Sequence, residues 1–314
     1  MKGPTLVTGA AGFAGSHLVD QLLDAGAEIV AWYHPSLQPP PPRPGVRWQA
    51  VELLDRAAVG AAVAEVRPAA VYHLAGAAHV GQSWDTTRTT LQTNVIGTHH
   101  VVEALRVSAP EARLLITSSA LVYGPSGSAI SEAHALAPDS PYGLSKVAQE
   151  MVGLGNDDRP VTLIVRPFNH FGPRQDSAFV SAAFAKQVAE IEAGVKPPEI
   201  AVGNLEARRD LTDVRDTVRA YRLIMARGTP LRPYNVCSGR AVAVQTLLDM
   251  LVARARMPVQ VVRDPARYRP NDAPVLLGDG ARIREELGWT PSIPLEQTVD
   301  DLLDYWRSRT AAAR

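Results

Sequence analysis

Four apolar or β-branched residues, Thr5-Leu6-Val7-Thr8, run into Gly9-Ala-Ala-Gly12-Phe13-Ala14-Gly15 and then into an amphipathic stretch, Ser16 to Ala25, closed by Gly26. No other part of the sequence limits the possible folds as strongly. It predicts a buried strand, a tight glycine turn and a helix in direct succession. Glycines three residues apart let the backbone turn sharply and come close to a diphosphate, whose charge is held by the free N–H groups and dipole of the helix N-terminus. A glycine triplet alone is a weak sign; at the junction of a first strand and a first helix it points to a dinucleotide site.

The same alternation continues. Strands are expected at 28–32, 46–51, 69–74, 113–117 and 161–165, with helices at 55–66, at 87–107 interrupted only by Gly97, and from Pro141 onward after the Asp139-Ser140 start signal. Strand alternating with helix means a parallel sheet covered on both faces. The expected fold is α/β, a doubly wound parallel Rossmann sheet with a smaller C-terminal α/β domain. Residues 1–167 form the first, with 205–227 returning to it, and 168–204 and 228–314 mainly form the second. In such folds the second part builds the substrate pocket over the carboxyl ends of the strands.

Composition narrows the function classes. Lys plus Arg and Asp plus Glu both number 32, so net charge gives no reason to expect nucleic acid or an anionic membrane as partner. A single cysteine, Cys237, excludes an internal disulfide, and no Cys/His spacing suggests a metal. With no signal-peptide pattern and no long apolar run, the expectation is a cytoplasmic protein.

No acid occurs from Ile29 through Val51, where an NAD-selective protein carries one for the ribose 2′-hydroxyl, while His34, Arg43 and Arg47 lie in or after that loop. A 2′-phosphate would meet no repulsion, which leans to NADP(H) or to use of both NADP(H) and NAD(H). Tyr142 and Lys146 fall one helical turn apart, on one face. A tyrosine ionises near pH ~10, and an adjacent ammonium favours the phenolate, so the pair reads as a proton donor tuned toward working pH. Ser119, just past the strand at 113–117, could bond the same substrate oxygen.

With Gly9, Gly12, Gly15, Ser119, Tyr142 and Lys146 in register with the strand–helix alternation, nearly the whole chain resembles the extended short-chain dehydrogenase/reductases that act on nucleotide sugars. Arg166-Pro-Phe-Asn169-His170-Phe-Gly-Pro-Arg174, the stretch Phe184 to Glu190 and the stretch Val202 to Asp216 resemble the branch of GDP-mannose dehydratases and GDP-6-deoxy-4-keto-mannose reductases. The resemblance implies that Tyr142 is the acid or base at the sugar C4 oxygen. It implies that Lys146 lowers its pKa and holds the nicotinamide ribose, and that Ser119 orients the substrate. Gly9, Gly12, Phe13, Ala14, Gly15, Leu74, Ala75, Gly76 and Pro167 then join Tyr142 and Lys146 around the cofactor, with Glu52 and Leu53 beside the adenine. Asn169, Lys186, Arg209 and Arg269 are expected at the GDP-sugar, and a homodimer through the 87–107 and Tyr142 helices is expected.

A 4,6-dehydratase needs acid/base groups beyond the tyrosine. Related dehydratases carry a carboxylate two residues after the catalytic Ser/Thr, in some cases preceded by another; here Ala120 and Leu121 occupy those positions. The expected reaction is therefore reduction of GDP-4-keto-6-deoxy-D-mannose to GDP-D-rhamnose. A nucleotide-sugar 4-epimerase is the alternative, and a dehydratase or a non-catalytic dinucleotide sensor are the weaker readings.

Overall fold

The computed structural model describes residues 3–155, 159–267 and 274–312. The chain opens with β1 (Thr5–Thr8), α1 (Phe13–Asp24), β2 (Ile29–Tyr33), β3 (Val46–Ala50), α2 (Arg56–Val66) and β4 (Ala70–His73). It continues through α3 (Thr87–Leu91), α4 (Gly97–Ser108), β5 (Arg113–Thr117), α5 (Pro141–Leu154) and β6 (Val161–Pro167). The second half holds β7 (Asn169–Phe171), α6 (Val180–Glu192), β8 (Glu199–Val202), β9 (Arg208–Asp213), α7 (Val214–Arg227), β10 (Pro233–Val236) and β11 (Ala241–Ala243). It ends with α8 (Val244–Val252), β12 (Gln260–Arg263), β13 (Val275–Leu276), α9 (Ala281–Leu287) and α10 (Leu295–Ala312).

Seven parallel strands form the main sheet in the order β10-β6-β5-β4-β1-β2-β3. The chain direction across the sheet reverses between β1 and β4, and that switch point opens a crevice at the strands' carboxyl ends. Alternate strand residues face opposite ways. Val7, Tyr72, Leu115 and Val165 pack under α1 and α7, with Leu18, Leu22, Val218 and Ile224. Leu6, Val71, Leu114 and Ile164 pack against α2 and α4, with Val59, Val63, Val101 and Leu105. Because both faces are covered, the inner strands are nearly continuous runs of buried residues, whereas the edge strand β3 is partly exposed. The Asp55 carboxylate accepts from Ala58 N at 3.0 Å to start α2, and Ser140 Oγ accepts from Gly143 N at 3.1 Å to start α5, with Pro141 in its first turn.

The structure departs from two expectations. The single helix expected at 87–107 is broken by a π-helical turn, Gln92–Ile96, between α3 and α4. The turn lies where Asn94 is fully buried and its amide bonds the backbone of Ala77 and the Ser145 hydroxyl. Gly97 is no interruption: a Cβ there would lie 3.2 Å from Leu53 Cβ, so the glycine permits close packing. The second departure concerns 228–314. Strand β10 is an edge strand of the main sheet, and Ile283, Leu287 and Trp289 join its α1/α7 core. The remaining elements gather around a core of α6, α8 and α10, with a sheet of β11, β9 and β13, to which β7 pairs, and the pair β12–β8.

Candidate active site

A cavity of about 1160 Å³ runs along the carboxyl edge of the sheet and is roofed by the second half of the chain. Its floor is the glycine turn. Gly9 has φ +65°, and a Cβ there would fall 2.7 Å from Ala75 N; a Cβ on Gly15 would fall 2.1 Å from Gly9 O. Those two glycines let β1, β4 and α1 meet. Gly12 differs, since a Cβ there would meet only Gly9 O, at 3.1 Å, and its open side faces the cavity. No side chain caps α1, so the first-turn N–H groups at Phe13, Ala14 and Gly15, which line the cavity, remain available to an anion.

At one end the cavity is lined by Glu52, Leu53 and His34. His34 Nε2 and Glu52 Oε2 are 2.8 Å apart. Arg43 and Arg47, expected near a 2′-phosphate, do not line the cavity: Arg43 pairs with Asp20 and Arg47 with Glu65. Both guanidiniums are drawn to acids on the helices flanking the sheet.

Ser119, Tyr142 and Lys146 meet at the middle of the cavity, beside Leu74, Ala75, Gly76 and Pro167. Ser119 lies beside Tyr142 and acts to lower its pKa, while Ser119 Oγ accepts from Leu121 N at 3.1 Å. Lys146 Nζ lies 5.7 Å from the centre of the Tyr142 ring and donates to Thr117 O at 2.9 Å and Gln149 Oε1 at 2.8 Å. An ammonium has three protons, so one remains for a ligand. Lys146 does not pull Tyr142 toward neutrality here, contrary to the sequence expectation. Burial pushes the Tyr142 phenol up to about 12, against a smaller opposing effect of Ser119, and burial brings Lys146 down to about 8. Desolvation disfavours the charged form of both groups and is the largest effect on each.

Asn169 and Arg209 line the wall contributed by the second half. Lys186 is not brought to the cavity: its ammonium stands 5.5 Å from the Trp306 ring centre and 3.8 Å from Glu190, on the α10 side of α6. Arg269 lies outside the described residues. Ala120 and Leu121 line the cavity, and Asp139, on the loop before α5, lines it as Glu52 does at the other end. His170 also lines the cavity; its ring stacks on Phe13, centroids 5.7 Å apart and planes within 7°, joining β7 to the glycine turn.

Sequence reading missed several residues here. Asn94, Thr98 and Gln149 are polar side chains with no exposure, at i, i+4 on one helix and three residues after Lys146 on another. Their helical spacing next to an expected site was a usable signal. Tyr221 gave none, because it sits within an ordinary amphipathic helix.

The sheet order, the glycine turn at its switch point and the Ser/Tyr/Lys cluster define a Rossmann-type extended short-chain dehydrogenase/reductase. More particularly, the chain belongs to the family described as GDP-mannose 4,6 dehydratase, whose sequence model matches residues 6–302. It is 34% identical to GDP-6-deoxy-D-mannose reductase of Pseudomonas aeruginosa over 96% of this chain and 97% of that one. Among solved structures, RMD from P. aeruginosa complexed with NADPH superposes with a TM-score of 0.84 at 32% identity, covering 98% of this chain and 100% of the other. UDP-glucose 4-epimerase of Thermotoga maritima with UDP-glucose superposes with a TM-score of 0.87 at 26% identity, covering 98% and 99%.

Proposed function

We propose that this protein is an NAD(P)H-dependent reductase that converts GDP-4-keto-6-deoxy-D-mannose to GDP-D-rhamnose. The observation that carries the reading is the convergence of Ser119, Tyr142 and Lys146 in the same cavity as the glycine turn, with the Lys146 ammonium 5.7 Å from the Tyr142 ring centre. Similarity to the P. aeruginosa reductase supplies the substrate class.

The residues present fit a nicotinamide dinucleotide. The open side of Gly12 and the uncapped α1 N-terminus suit the diphosphate. Glu52 and Leu53 suit the adenine, and the remaining Lys146 proton suits a ribose hydroxyl. Two cavity-lining hydroxyls that are buried without a partner among the described residues, Thr117 Oγ1 and Tyr221 OH, suit the nicotinamide end. A buried hydroxyl left unpaired costs about 1–3 kcal/mol, so each gains by meeting a ligand. When bound, the reduced nicotinamide would supply a hydride to the sugar C4.

The protein's own part is proton supply and orientation. Tyr142 bonds the C4 carbonyl oxygen and gives up its proton as that oxygen gains charge, while Ser119 holds the oxygen from its other side. Lys146 then stabilises the phenolate left behind, the moment at which its charge matters most. Arg209 binds the sugar-nucleotide diphosphate, and Asn169, just past the end of β6 near the nicotinamide, helps hold the sugar in place. The parts built around α6, α8 and α10 form the substrate domain, and the enzyme acts in the cytoplasm as a homodimer through α4 and α5.

A 4-epimerase is the second reading, supported by the likeness to UDP-glucose 4-epimerases, one of which, from Bacillus subtilis, is 30% identical over 96% of this chain and 95% of its own length. Absorbance at 340 nm decides between them, using GDP-4-keto-6-deoxy-D-mannose made in situ by a separate dehydratase. Stoichiometric loss of NADPH or NADH with a GDP-deoxyhexose product is the expected result. Isomerisation of a nucleotide hexose by protein that already carries tightly held NAD would replace the reductase reading with the epimerase.

A further inference from the structure

We propose that Gln149 is a positioning residue: it fixes the Lys146 ammonium beside Tyr142 and ties it, through Thr98, His73 and Thr8, to the backbone at the switch point. The proposal rests on the reading of Lys146 given above.

Each hydrogen bond in this buried chain has a single possible direction. Lys146 can only donate, so the Gln149 carbonyl oxygen, 2.8 Å away, must face it. The Gln149 amide nitrogen then donates to Thr98 Oγ1 at 2.8 Å. The one Thr98 hydroxyl proton goes to Asn94 O at 2.7 Å, so the Thr98 oxygen also accepts from His73 Nε2 at 2.9 Å. His73 therefore carries its proton on Nε2, and Nδ1 accepts from the Thr8 hydroxyl at 2.8 Å. Thr8 Oγ1 in turn accepts from Ala75 N at 3.2 Å. The bonds converge from Lys146 on one side and Ala75 on the other, and end at the Asn94 carbonyl.

All four linking side chains, Thr8, His73, Thr98 and Gln149, have no solvent exposure. A fully satisfied polar network in a low-dielectric interior is rigid, because moving one member leaves its neighbours unpaired. Burial keeps His73 neutral, pulling it down to about 3. The chain is thus a scaffold rather than a proton path. It joins the residue that must face Tyr142 to the residues, Leu74 to Gly76, that face the cofactor.

Simple core stabilisation is the competing account, and the sign of a pH shift separates the two. The charged and titratable groups facing Lys146 are Tyr142 and Glu150 on its own helix, Arg166 on β6 behind Glu150, and His73 on β4; Asn94 and Thr98 on the opposite helix are uncharged. Gln149→Glu keeps the shape and adds an anion at the ammonium. Gln149→Met keeps the volume and removes the acceptor. NADPH or NADH binding is measured by titration from pH 6 to 10, together with the pH dependence of kcat/KM and the thermal midpoint of each protein.

The alkaline fall in cofactor binding and in kcat/KM is expected to move up in Gln149→Glu and down in Gln149→Met. At pH 7, Gln149→Met is expected to bind cofactor about tenfold more weakly, the scale of one lost hydrogen bond to a charged group. Lowered thermal midpoints with the alkaline limb unmoved in both variants would overturn the proposal. Wild-type protein that binds neither NADPH nor NADH would instead overturn the function on which it rests.

Discussion

The guanidinium of Arg166 meets the carboxylate of Glu150 at two points, Nε to Oε1 at 2.8 Å and Nη2 to Oε2 at 2.6 Å, inside the protein and one turn of α5 beyond Lys146. Their side chains are only 6% and 2% exposed. Ser118 also donates to Glu150, and Arg166 Nη1 donates to the Tyr123 hydroxyl at 2.7 Å. The pair therefore fixes β6 to the helix that carries Tyr142. Removing one partner strands the other charge, at a cost of about 3–5 kcal/mol. Arg166→Met and Glu150→Leu are each expected to lose that much by urea denaturation, and the double variant to lose clearly less than the sum. Additive losses would mean the two groups are not coupled.

Tyr142→Phe should leave cofactor affinity within about twofold, since only a hydroxyl is lost, and lower turnover by about 10²–10⁴. Retained turnover would take the proton-donor role away from Tyr142. Near-normal turnover in Ser119→Ala would likewise remove its share in orienting the carbonyl.

Lys146 sits near 8, brought down by burial, and Tyr142 near 12, pushed up by burial. Over the range from pH 6 to 10 Tyr142 stays protonated, and Lys146 is the group that changes charge. The rate of reduction is expected to hold below pH 8 and to fall above it. For stability the sign is opposite: between 8 and the ordinary lysine value the unfolded chain holds the proton and the folded chain does not, so the Lys146 contribution to stability rises with pH. A pH profile of kcat/KM that stays flat to pH 10 would count against the Lys146 charge being needed.

Gly12 and Gly15 should separate binding from folding. Gly12→Ala places its methyl toward the cavity, so thermal stability should change little while NADPH or NADH binding weakens about tenfold, or ~1.4 kcal/mol. Gly15→Ala drives a methyl to within 2.1 Å of Gly9 O and is expected to lower the thermal midpoint sharply. The reverse pattern would contradict the cradle.

Two cations named from the sequence should behave differently. Arg209→Ala is expected to raise KM for the GDP-sugar about tenfold with kcat nearly kept, the mark of lost ground-state binding. Lys186→Ala, which faces Trp306 and Glu190, should leave KM unchanged and cost only a small loss of stability. Titration calorimetry with GDP alone checks both without catalysis.

Local sequence determined a good deal. A strand, glycines at Gly9, Gly12 and Gly15 and a helix can make few other structures, because the positive φ of Gly9 and the contact at Gly15 admit no side chain. Helical spacing likewise put Tyr142 and Lys146 on one face, and alternation of strand and helix gave the parallel sheet. These are short-range consequences of backbone sterics and periodicity. What tertiary structure alone decided is where long side chains end and what burial does to their charges. Lys186 turned to an aromatic ring on α10, and Arg43 and Arg47 to acids on α1 and α2, because a flexible cation takes whichever partner packing brings within reach. The strand at Pro233–Val236 went to the edge of the main sheet, which no local pattern could reveal. Tyr142 was raised rather than lowered for the same kind of reason: desolvation depends on every atom folded around a group, and spacing along the chain does not contain it.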